Sequence, residues 1–418
     1  MDRRRPVAGA AIPLGAATLS SPGSTAYPPA KLGRWQRICA AFMHGGRRGL
    51  VLQLVVFLGV GLFIAGIMHN VATNLQRLGV KTGFGFLFRP AGFEISQTLI
   101  AYGETATYLS AFVAALLNTL LVTALSIVLA TFLGFVIALA RGSSNRLVAA
   151  TGALYVETFR NIPLLIQLLF WYFAVMQALP LPRSSFDIAG VVFLNNRGLF
   201  IPTIQFGESA GLMLGWFLAG IGLSVLIVMN ASRRRLATGH DAASGWLAAL
   251  PPIVLPVIAG LAFGTGSALS VPELQGFNFR GGLAVQPELL ALTIGLSIYS
   301  AAFIAEIIRG GIQSVAAGQI DAAVSLGLTR WQTTRFIVVP LALRIIVPPL
   351  GAYYVVMLKN SSLGSAIAYP DLILVFAGTV LNQTAQPIEV MTITLATYLA
   401  LGFALSFATS AVNRQVRR

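Results

Sequence analysis

The feature that most limits the fold of this chain is a series of long apolar runs with almost no charged residues. A helix needs about 20 apolar residues to cross the hydrocarbon core of a bilayer. Runs near this length lie at residues 50–68, 109–140, 161–180, 209–230, 246–265, 289–308, 337–358 and 390–412. Only 10% of the residues are charged and mean hydropathy is +0.80, which excludes an ordinary soluble domain. We therefore predict an all-α integral membrane protein with about eight transmembrane helices.

The net charge of +15 is explained by membrane topology rather than by a nucleic-acid partner. Basic residues follow every second apolar run, and the arginines concerned are Arg141, Arg146, Arg233, Arg234, Arg235, Arg309, Arg330, Arg335, Arg414, Arg417 and Arg418. Cytoplasmic loops carry such an excess of arginine and lysine. We therefore predict a multi-pass membrane protein with both termini in the cytoplasm and no nucleic-acid partner.

The same pattern divides the chain into segments. Residues 1–48 are rich in Pro, Gly, Ser and Arg and are too long and polar for a signal peptide, so we predict a disordered cytoplasmic tail. Residues 49–69 are then an uncleaved anchor helix, and residues 70–108 form an external segment. A transmembrane domain occupies residues 109–418, with an inserted hairpin at 205–270 and a cytoplasmic loop at 309–336. Neither long external connection is expected to form a separate domain.

One cytoplasmic stretch, QIDAAVSLGLTRWQTTRFIVVP, is unusually rich in small and polar residues. Asp321, Ala322 and Ala323 fall on one short helical segment, and Gly327 comes four residues after Ala323, a spacing that places both on one helix face. Small residues on one face let a partner approach the backbone closely. The pattern is typical of a docking helix, although an ordinary amphipathic connector would also satisfy it.

The spacing within this stretch resembles the EAA motif of ABC importer permeases, which reads E-A-A, three residues, G, nine residues, I-x-L-P. The matching residues are Asp321, Ala322, Ala323, Gly327, Ile337 and Pro340, with Asp321 replacing Glu and Val339 replacing Leu. In that family the motif forms a coupling helix that inserts into the ATPase subunit. The resemblance implies that these residues couple the chain to a separate ATPase.

Three further segments resemble the amino-acid branch of these permeases, which includes the histidine and glutamine permeases. They are YVETFRNIPLLIQLLFWYF, AAFIAEIIRGGIQSV and MLKNSSLGSAIAYPDL, while GFGFLFRPAGF and FLNNRGLFIP resemble the general L-amino-acid importers more narrowly. The family core is a five-helix, type I importer fold. The anchor helix and the inserted hairpin would then be additions to that core.

The resemblance also implies that residues 109–418 are the permease domain, that residues 70–108 are periplasmic and that the membrane is the bacterial inner membrane. It further implies partners and a mechanism. A periplasmic amino-acid-binding protein would deliver an L-amino acid, and two ATPase subunits would use ATP and Mg to drive alternating access in the lipid bilayer. Two ATPases need two coupling helices, and this chain supplies one, so a dimer is required. The second subunit is expected to be a related permease, and a homodimer remains an alternative.

Polar residues at membrane depth are the candidates for a solute path because they are costly unless they face a cavity or a partner. We select Asn118 and Thr119 in the second run, and Lys359, Asn360, Ser361 and Ser362 where the seventh run breaks near Gly364. Hydrogen bonds between helices would explain these residues equally well. Glu306 and Arg309, three residues apart, are predicted to form a structural ion pair at the membrane boundary.

The sequence gives no sign that the chain is itself an enzyme. None of its three lysines stands in a G-x-x-x-x-G-K-[ST] loop, and its three histidines are scattered, so we expect no bound cofactor and no metal site. An ion-coupled secondary transporter is the main alternative function, but it would need ionisable residues within the spans and is usually built from repeated halves. A purely structural membrane subunit would share the topology without needing the motif.

Overall fold

The computed structural model describes residues 47–77, 83–205, 210–238, 250–262 and 268–417. The chain forms two compact units, Met1–Val80 and Lys81–Arg418. In the first unit, helix α1 spans Arg47–Arg77 and contains the candidate membrane span Gln53–Val71. Within the described residues of this unit, none in its most apolar window is buried. The predicted tail at 1–48 falls almost wholly outside the described residues.

The second unit is built mainly from helices. They are α2 (Tyr108–Arg141), α3 (Arg146–Asn161), α4 (Leu164–Leu169), α5 (Ala210–Thr238), α6 (Pro251–Ala262), α7 (Pro287–Gln313), α8 (Ala317–Ser325), α9 (Arg330–Thr333), α10 (Val339–Asn360), α11 (Leu381–Thr384) and α12 (Pro387–Arg417). Wider π-helical turns occupy Phe170–Met176, Thr334–Val338 and Ile373–Val380, and 3₁₀ turns occupy Phe84–Phe88, Pro182–Ser184 and Ser361–Ile367.

Helix α7 lies at the centre of this unit. In its most apolar window 67% of the residues are buried, against 28% for α2, and it packs along both α2 and α10. Small residues permit the close approach: a Cβ at Gly134 of α2 would lie 2.7 Å from Cγ2 of Ile304 on α7. Helices in a membrane associate through such small-residue contacts because lipid supplies no hydrophobic driving force between them. The core therefore depends on close backbone packing as well as on apolar side chains.

Helices α3 and α4 form one bent element. Their axes differ by 102° at a break beside Pro163, which is the N-cap of α4. The bend frees backbone carbonyls that a straight helix would satisfy. The buried Gln167 side chain donates to the carbonyls of Phe159, at 3.0 Å, and of Ile162, at 2.9 Å. This single amide therefore stabilises the bend, since unsatisfied backbone groups are costly in a membrane.

Short strands surround the inserted helices α5 and α6. They are β1 (Phe186–Ile188), β2 (Val192–Asn195), β3 (Gly198–Ile201), β4 (Thr203–Gln205), β5 (Ala268–Ser270), β6 (Glu273–Gln275), β7 (Asn278–Arg280) and β8 (Leu283–Val285). One antiparallel sheet has the order β1-β2-β3-β8, and β4 pairs with β5 and β6 with β7. Because β3 pairs with β8, the chain leaves for the insertion and returns from it side by side. These strands were not predicted from the sequence.

The predicted count of eight spans is not confirmed. Within the described residues, five helices are long and apolar enough to cross a membrane, and the bent α3–α4 pair could supply a sixth. The predicted runs at 109–140, 289–308, 337–358 and 390–412 fall within the candidate spans Tyr108–Arg141, Pro287–Gln313, Arg330–Ile367 and Pro387–Gln415. The inserted segments are shorter, since the apolar part of α5 covers Gly215–Ala231 and the described part of α6 has 12 residues.

Candidate functional site: the coupling segment and a buried polar cluster

The predicted docking segment begins in the short helix α8, which is separated from the end of α7 by three residues. Helix α8 ends at Ser325, and Gly327 follows it with φ +79°. The Leu328 N–H donates to the Ala323 carbonyl at 3.1 Å, and the Gly327 N–H donates to the Val324 carbonyl at 2.9 Å. These two bonds form a Schellman motif, which needs a left-handed residue just after the helix. Gly327 therefore ends the helix and turns the chain.

The small residues do not share one outward face, which corrects the expectation from their spacing. Asp321 and Ala322 are exposed, whereas Ala323 is only 4% exposed and contributes to the interior. Gly327 lies beyond the helix, so a four-residue spacing no longer places it on the face of Ala323. A Cβ at Gly327 would meet no atom within 4 Å. The glycine is required by backbone conformation rather than by space.

The chain then enters helix α9, whose first turn is also capped. Thr329 and Gln332 form a capping box at the beginning of α9, with the Gln332 N–H donating to Oγ1 of Thr329 at 3.3 Å. Ile337 is half-buried in the following π-helical turn, and Pro340 stands in the first turn of α10, where its missing N–H is harmless. A groove of about 340 Å³ is lined by Trp331, Thr334, Arg335, Phe336 and Val339. The segment thus offers an exposed surface with rigid ends.

Three helices meet at a carboxylate near the end of α7. Glu306 accepts from Nη1 of Arg141, at the end of α2, and lies 2.7 Å from Nη2 of Arg309. Nη1 of Arg160, at the end of α3, lies 4.0 Å from the same carboxylate, and its guanidinium stacks 5.1 Å from the Phe303 ring. Glu306 and Arg309 are therefore in contact, as their spacing suggested, and the group is larger than a pair. It ties α2 and α3 to α7.

A buried polar cluster joins α2 to the segment after α10. Asn118 Nδ2 donates to the carbonyls of Gln97, at 2.7 Å, and Pro370, at 2.9 Å, while Tyr369 Oη donates to the Asn118 carbonyl at 2.8 Å. The Leu372 N–H donates to Oγ1 of Thr119 at 3.0 Å. Asn118 and Thr119 are completely buried. Both predicted residues therefore hold the 369–372 segment against α2.

Asp371 is the residue of this cluster that sequence reasoning missed. It lies between the candidate spans Arg330–Ile367 and Pro387–Gln415 and is completely buried. Its Oδ1 accepts from the Leu374 N–H at 2.8 Å, but Oδ2 has no hydrogen-bond partner among the described residues. Burial raises the pKa of Asp371 to about 7. The only signal in the sequence was an acidic residue inside the apolar stretch YPDLILVF.

The other residues predicted for the solute path take no part in the hydrogen bonds of Asn118 and Thr119. The predicted break is present, since α10 ends at Asn360 and a 3₁₀ turn follows over Ser361–Ile367. Ser361 is buried and donates to the Leu358 carbonyl at 2.7 Å, whereas Ser362 is half-buried and donates to the Lys359 carbonyl. Lys359 is exposed and Asn360 is half-buried. In the described part of the chain, no three His, Cys, Asp or Glu residues come together as a metal site would require.

Comparison with known proteins identifies the family of this chain. A family model described as binding-protein-dependent transport system inner membrane component matches residues 130–418, which is more than half of the chain. The chain belongs to this family of importer permeases. The matched region contains the coupling segment, the Glu306 group and Asp371, whereas Asn118 and Thr119 precede it.

Three relatives resemble this permease over most of its length. It is 46% identical to the putative amino-acid ABC transporter permease protein YhdX of Escherichia coli over 90% of this chain and 96% of that protein. It is 42% identical to the general L-amino acid transport system permease protein AapQ of Rhizobium johnstonii, over 85% and 88%. It is 37% identical to the glutamate/glutamine/aspartate/asparagine transport system permease protein BztB of Rhodobacter capsulatus, over 88% and 94%. The permease is thus a multi-pass inner-membrane transport subunit.

Proposed function

We propose that this permease is a membrane subunit of an ATP-driven importer that carries L-amino acids into the cell. The observation that carries the proposal is the exposed helix α8, which contains the first three residues of the motif, lies outside every candidate span and follows the central helix α7 after three residues. The names of its relatives, each an amino-acid transport permease, support the choice of substrate. Binding-protein dependence disfavours an ion-coupled carrier.

The docking surface for the ATPase would be the exposed side of α8. Asp321 and Ala322 lie at this surface, whereas Ala323 anchors the helix to the permease from its buried side. Gly327 and the Thr329 capping box would fix both ends of the connection. A displacement of α8 would then reach α7 through three connecting residues, and α10 through α9 and the π-helical turn at Thr334–Val338. ATP and Mg would act in the ATPase, and this chain would bind no cofactor.

The solute path would pass the buried polar cluster. Asn118 and Thr119 hold the 369–372 segment, and the free Oδ2 of Asp371 is an acceptor without a partner in the described residues. An acceptor of this kind could bind the ammonium group of an amino acid when the surrounding helices separate. Ser361 at the start of the 3₁₀ turn is the neighbouring candidate, and Lys359, Asn360 and Ser362 remain weaker ones. Asn118 and Thr119 lie within the candidate span Tyr108–Arg141, where polar groups often mark a transport path.

The complete importer would contain two permeases, two ATPases and a periplasmic amino-acid-binding protein. A related but different second permease fits the resemblance best, and a second copy of this chain would also satisfy the need for two coupling helices. Both termini of this chain would lie in the cytoplasm, on the same side as α8. The positive charge at the ends of alternate apolar runs supports this orientation.

Cross-linking at two adjacent positions tests the docking surface. In a chain whose Cys39 is replaced by Ser, Ala322→Cys should form a cross-link with a thiol-reactive probe on the ATPase, because Ala322 is exposed. Ala323→Cys is the matched control and should not react, because Ala323 is buried. Equal reaction at both positions, or none at either in an assembled importer, would contradict the assignment of α8.

A further inference from the structure

An irregular loop at residues 92–106 precedes α2. Its two ends are fixed together, because the Ala91 N–H donates to the Ala106 carbonyl at 2.8 Å. Between these ends, residues 94–102 make no backbone–backbone hydrogen bond with any described residue. Compact loops with a closed neck are frequently functional, and a segment with few backbone hydrogen bonds opens at low cost. The loop can therefore pivot about its neck.

Two side-chain amides hold the tip of this loop, residues 96–101. Nδ2 of Asn118 donates to the Gln97 carbonyl at 2.7 Å. Nε2 of Gln286, the N-cap residue of α7, donates to the Ser96 carbonyl. Asn118 lies ten residues into α2, which is about 15 Å along the helix. The tip therefore folds back along α2 and lies against the buried polar cluster.

Three hydrogen-bond acceptors at this place have no partner among the described residues. They are Oε1 of Gln97, Oδ1 of Asn118 and Oδ2 of Asp371, and all three atoms are buried. The Asn118 amide links the three residues, since it donates to the Gln97 carbonyl and to the carbonyl of Pro370, next to Asp371. Buried polar atoms are nearly always hydrogen-bonded. Three unpartnered acceptors in one cluster therefore indicate a ligand that supplies donors.

The charge of the cluster favours a cationic donor. No lysine, arginine or histidine is buried in the part of the chain that the structure describes, so no buried basic group pairs with the Asp371 carboxyl. The Tyr398 hydroxyl, which interacts electrostatically with Asp371, is uncharged. An ammonium group has three N–H donors and one positive charge, which matches three acceptors of which one is a carboxylate.

The loop lies at the opposite end of the unit from the coupling helix. Arg141, the last residue of α2, contacts Glu306 near the end of α7 that leads to α8. Helix α2 has 34 residues and is about 51 Å long, so its start is far from α8. The contact of the loop with Gln286, at the start of α7, agrees with this position. Under the proposed orientation, this end of the unit faces the outside.

We propose that the 92–106 loop is an outer lid of the solute path, and that Gln97 binds the ammonium group of the amino acid together with Asn118 and Asp371. This inference rests on the proposed function and names a part of the site that precedes residues 130–418, the region that defines the family match. Release of the tip would open the cluster to the outside. Its return would bring the Gln97 acceptor onto the bound amino acid.

Thiol accessibility tests the lid. In an importer with Cys39→Ser, reconstituted in proteoliposomes, Thr119→Cys places a thiol at a completely buried position in the cluster. Gln286→Leu removes one bond to the tip and should raise the rate of modification by an impermeant reagent added outside about fivefold. Gln383→Leu is the matched control, because Gln383 bonds to Tyr108 rather than to the tip, and it should change the rate less than twofold. Equal rates in the two variants would overturn the lid.

Protection of the same cysteine tests the ligand. A mixture of L-amino acids should slow the modification, whereas the same mixture with N-acetylated amino groups should not, because acetylation removes the ammonium group. Gln97→Leu keeps the backbone carbonyl that Asn118 binds but removes an acceptor, so it should raise the half-protecting concentration at least tenfold. Gln97→Glu keeps an acceptor and should not raise it. Equal protection by the acetylated mixture, or an unchanged value for Gln97→Leu, would contradict the ammonium site.

A third measurement needs no cysteine inside the cluster. In the same importer without Thr119→Cys, a short cleavable cross-linker between Ser96→Cys and Gln286→Cys should stop ATP-driven uptake, and reductive cleavage should restore it. Uptake that continues in the cross-linked chain would refute a lid that opens during transport. Failure of the importer with Cys39→Ser alone to take up amino acids with ATP and the binding protein would instead refute the proposed function, so the two failures are distinguishable.

Discussion

Substitution of Gly327 separates two explanations for the glycine of the coupling motif. If the position required a small side chain, alanine would be the best replacement. The structure instead requires a left-handed backbone with φ +79° and leaves the space around the missing Cβ open. A left-handed conformation costs an ordinary L-residue roughly 1–2 kcal/mol, while asparagine adopts it more readily. We therefore expect Gly327→Asn to retain more function than Gly327→Ala, although asparagine is larger.

The size of the effect follows from where the strain acts. The effect on binding is largest if the strained turn relaxes in the free permease and the Schellman geometry is required only when the ATPase is docked. A strain of roughly 1–2 kcal/mol in the docked state alone weakens ATPase binding by about 5- to 30-fold for Gly327→Ala. Gly318 lies inside α8 with open space at its Cβ position, so Gly318→Ala is the matched control. It should leave binding unchanged or slightly stronger, because alanine favours helix.

The assay is the affinity of the purified ATPase for the permease in nanodiscs, measured for the three variants and the unsubstituted chain. Far-ultraviolet circular dichroism and size-exclusion chromatography verify that each variant is folded. The expected order of affinity places Gly318→Ala first, then Gly327→Asn, then Gly327→Ala. An alanine variant at 327 that binds as well as the Gly318→Ala variant would refute the reasoning, and so would an asparagine variant weaker than the alanine one.

Other substitutions test the remaining interactions. Gln167→Leu should lower stability by about 1–3 kcal/mol, seen as a lower melting temperature in detergent, because two carbonyls at the 102° bend lose their donor. Glu306→Ala should cost on the order of 2 kcal/mol, less than for a fully buried pair, because Arg141 and Arg309 lose their carboxylate. Asp371→Asn should flatten the pH dependence: the folded pKa near 7 exceeds the unfolded value of 3.8, so native stability falls as pH rises from about 4 to 7. A wild-type chain equally stable at pH 5 and pH 7.5 would contradict this.

The membrane helices of the core were predictable because length and hydropathy alone define them. A bilayer requires long apolar helices, and four of the predicted core spans fall within the candidate spans. The bent α3–α4 element was predicted only in part. Pro163 marked the start of a helix, but the sequence gave no angle, because the angle depends on hydrogen bonds that Gln167 makes across the break. Local patterns specify elements more readily than the geometry between them.

The sheets around the insertion were missed for a different reason. Their strands have three or four residues each, too few for a recognisable alternation, and β3 pairs with β8, more than 80 residues later in the chain. The motif spacing located the coupling segment but not its faces, since the helix ends at Ser325 before reaching Gly327. Asp371 could be recognised only from the structure, which shows that its carboxylate is buried. Burial and pairing between distant strands depend on the whole fold, so a short stretch of sequence does not predict them.

The most direct test of the central claim is uptake of labelled L-amino acids into proteoliposomes. The vesicles hold this permease, its partner permease and the ATPase, with the binding protein outside and ATP supplied on the side of α8. The account predicts accumulation that requires both ATP and the binding protein, in the absence of any ion gradient. Accumulation driven by a proton or sodium gradient without ATP would contradict it.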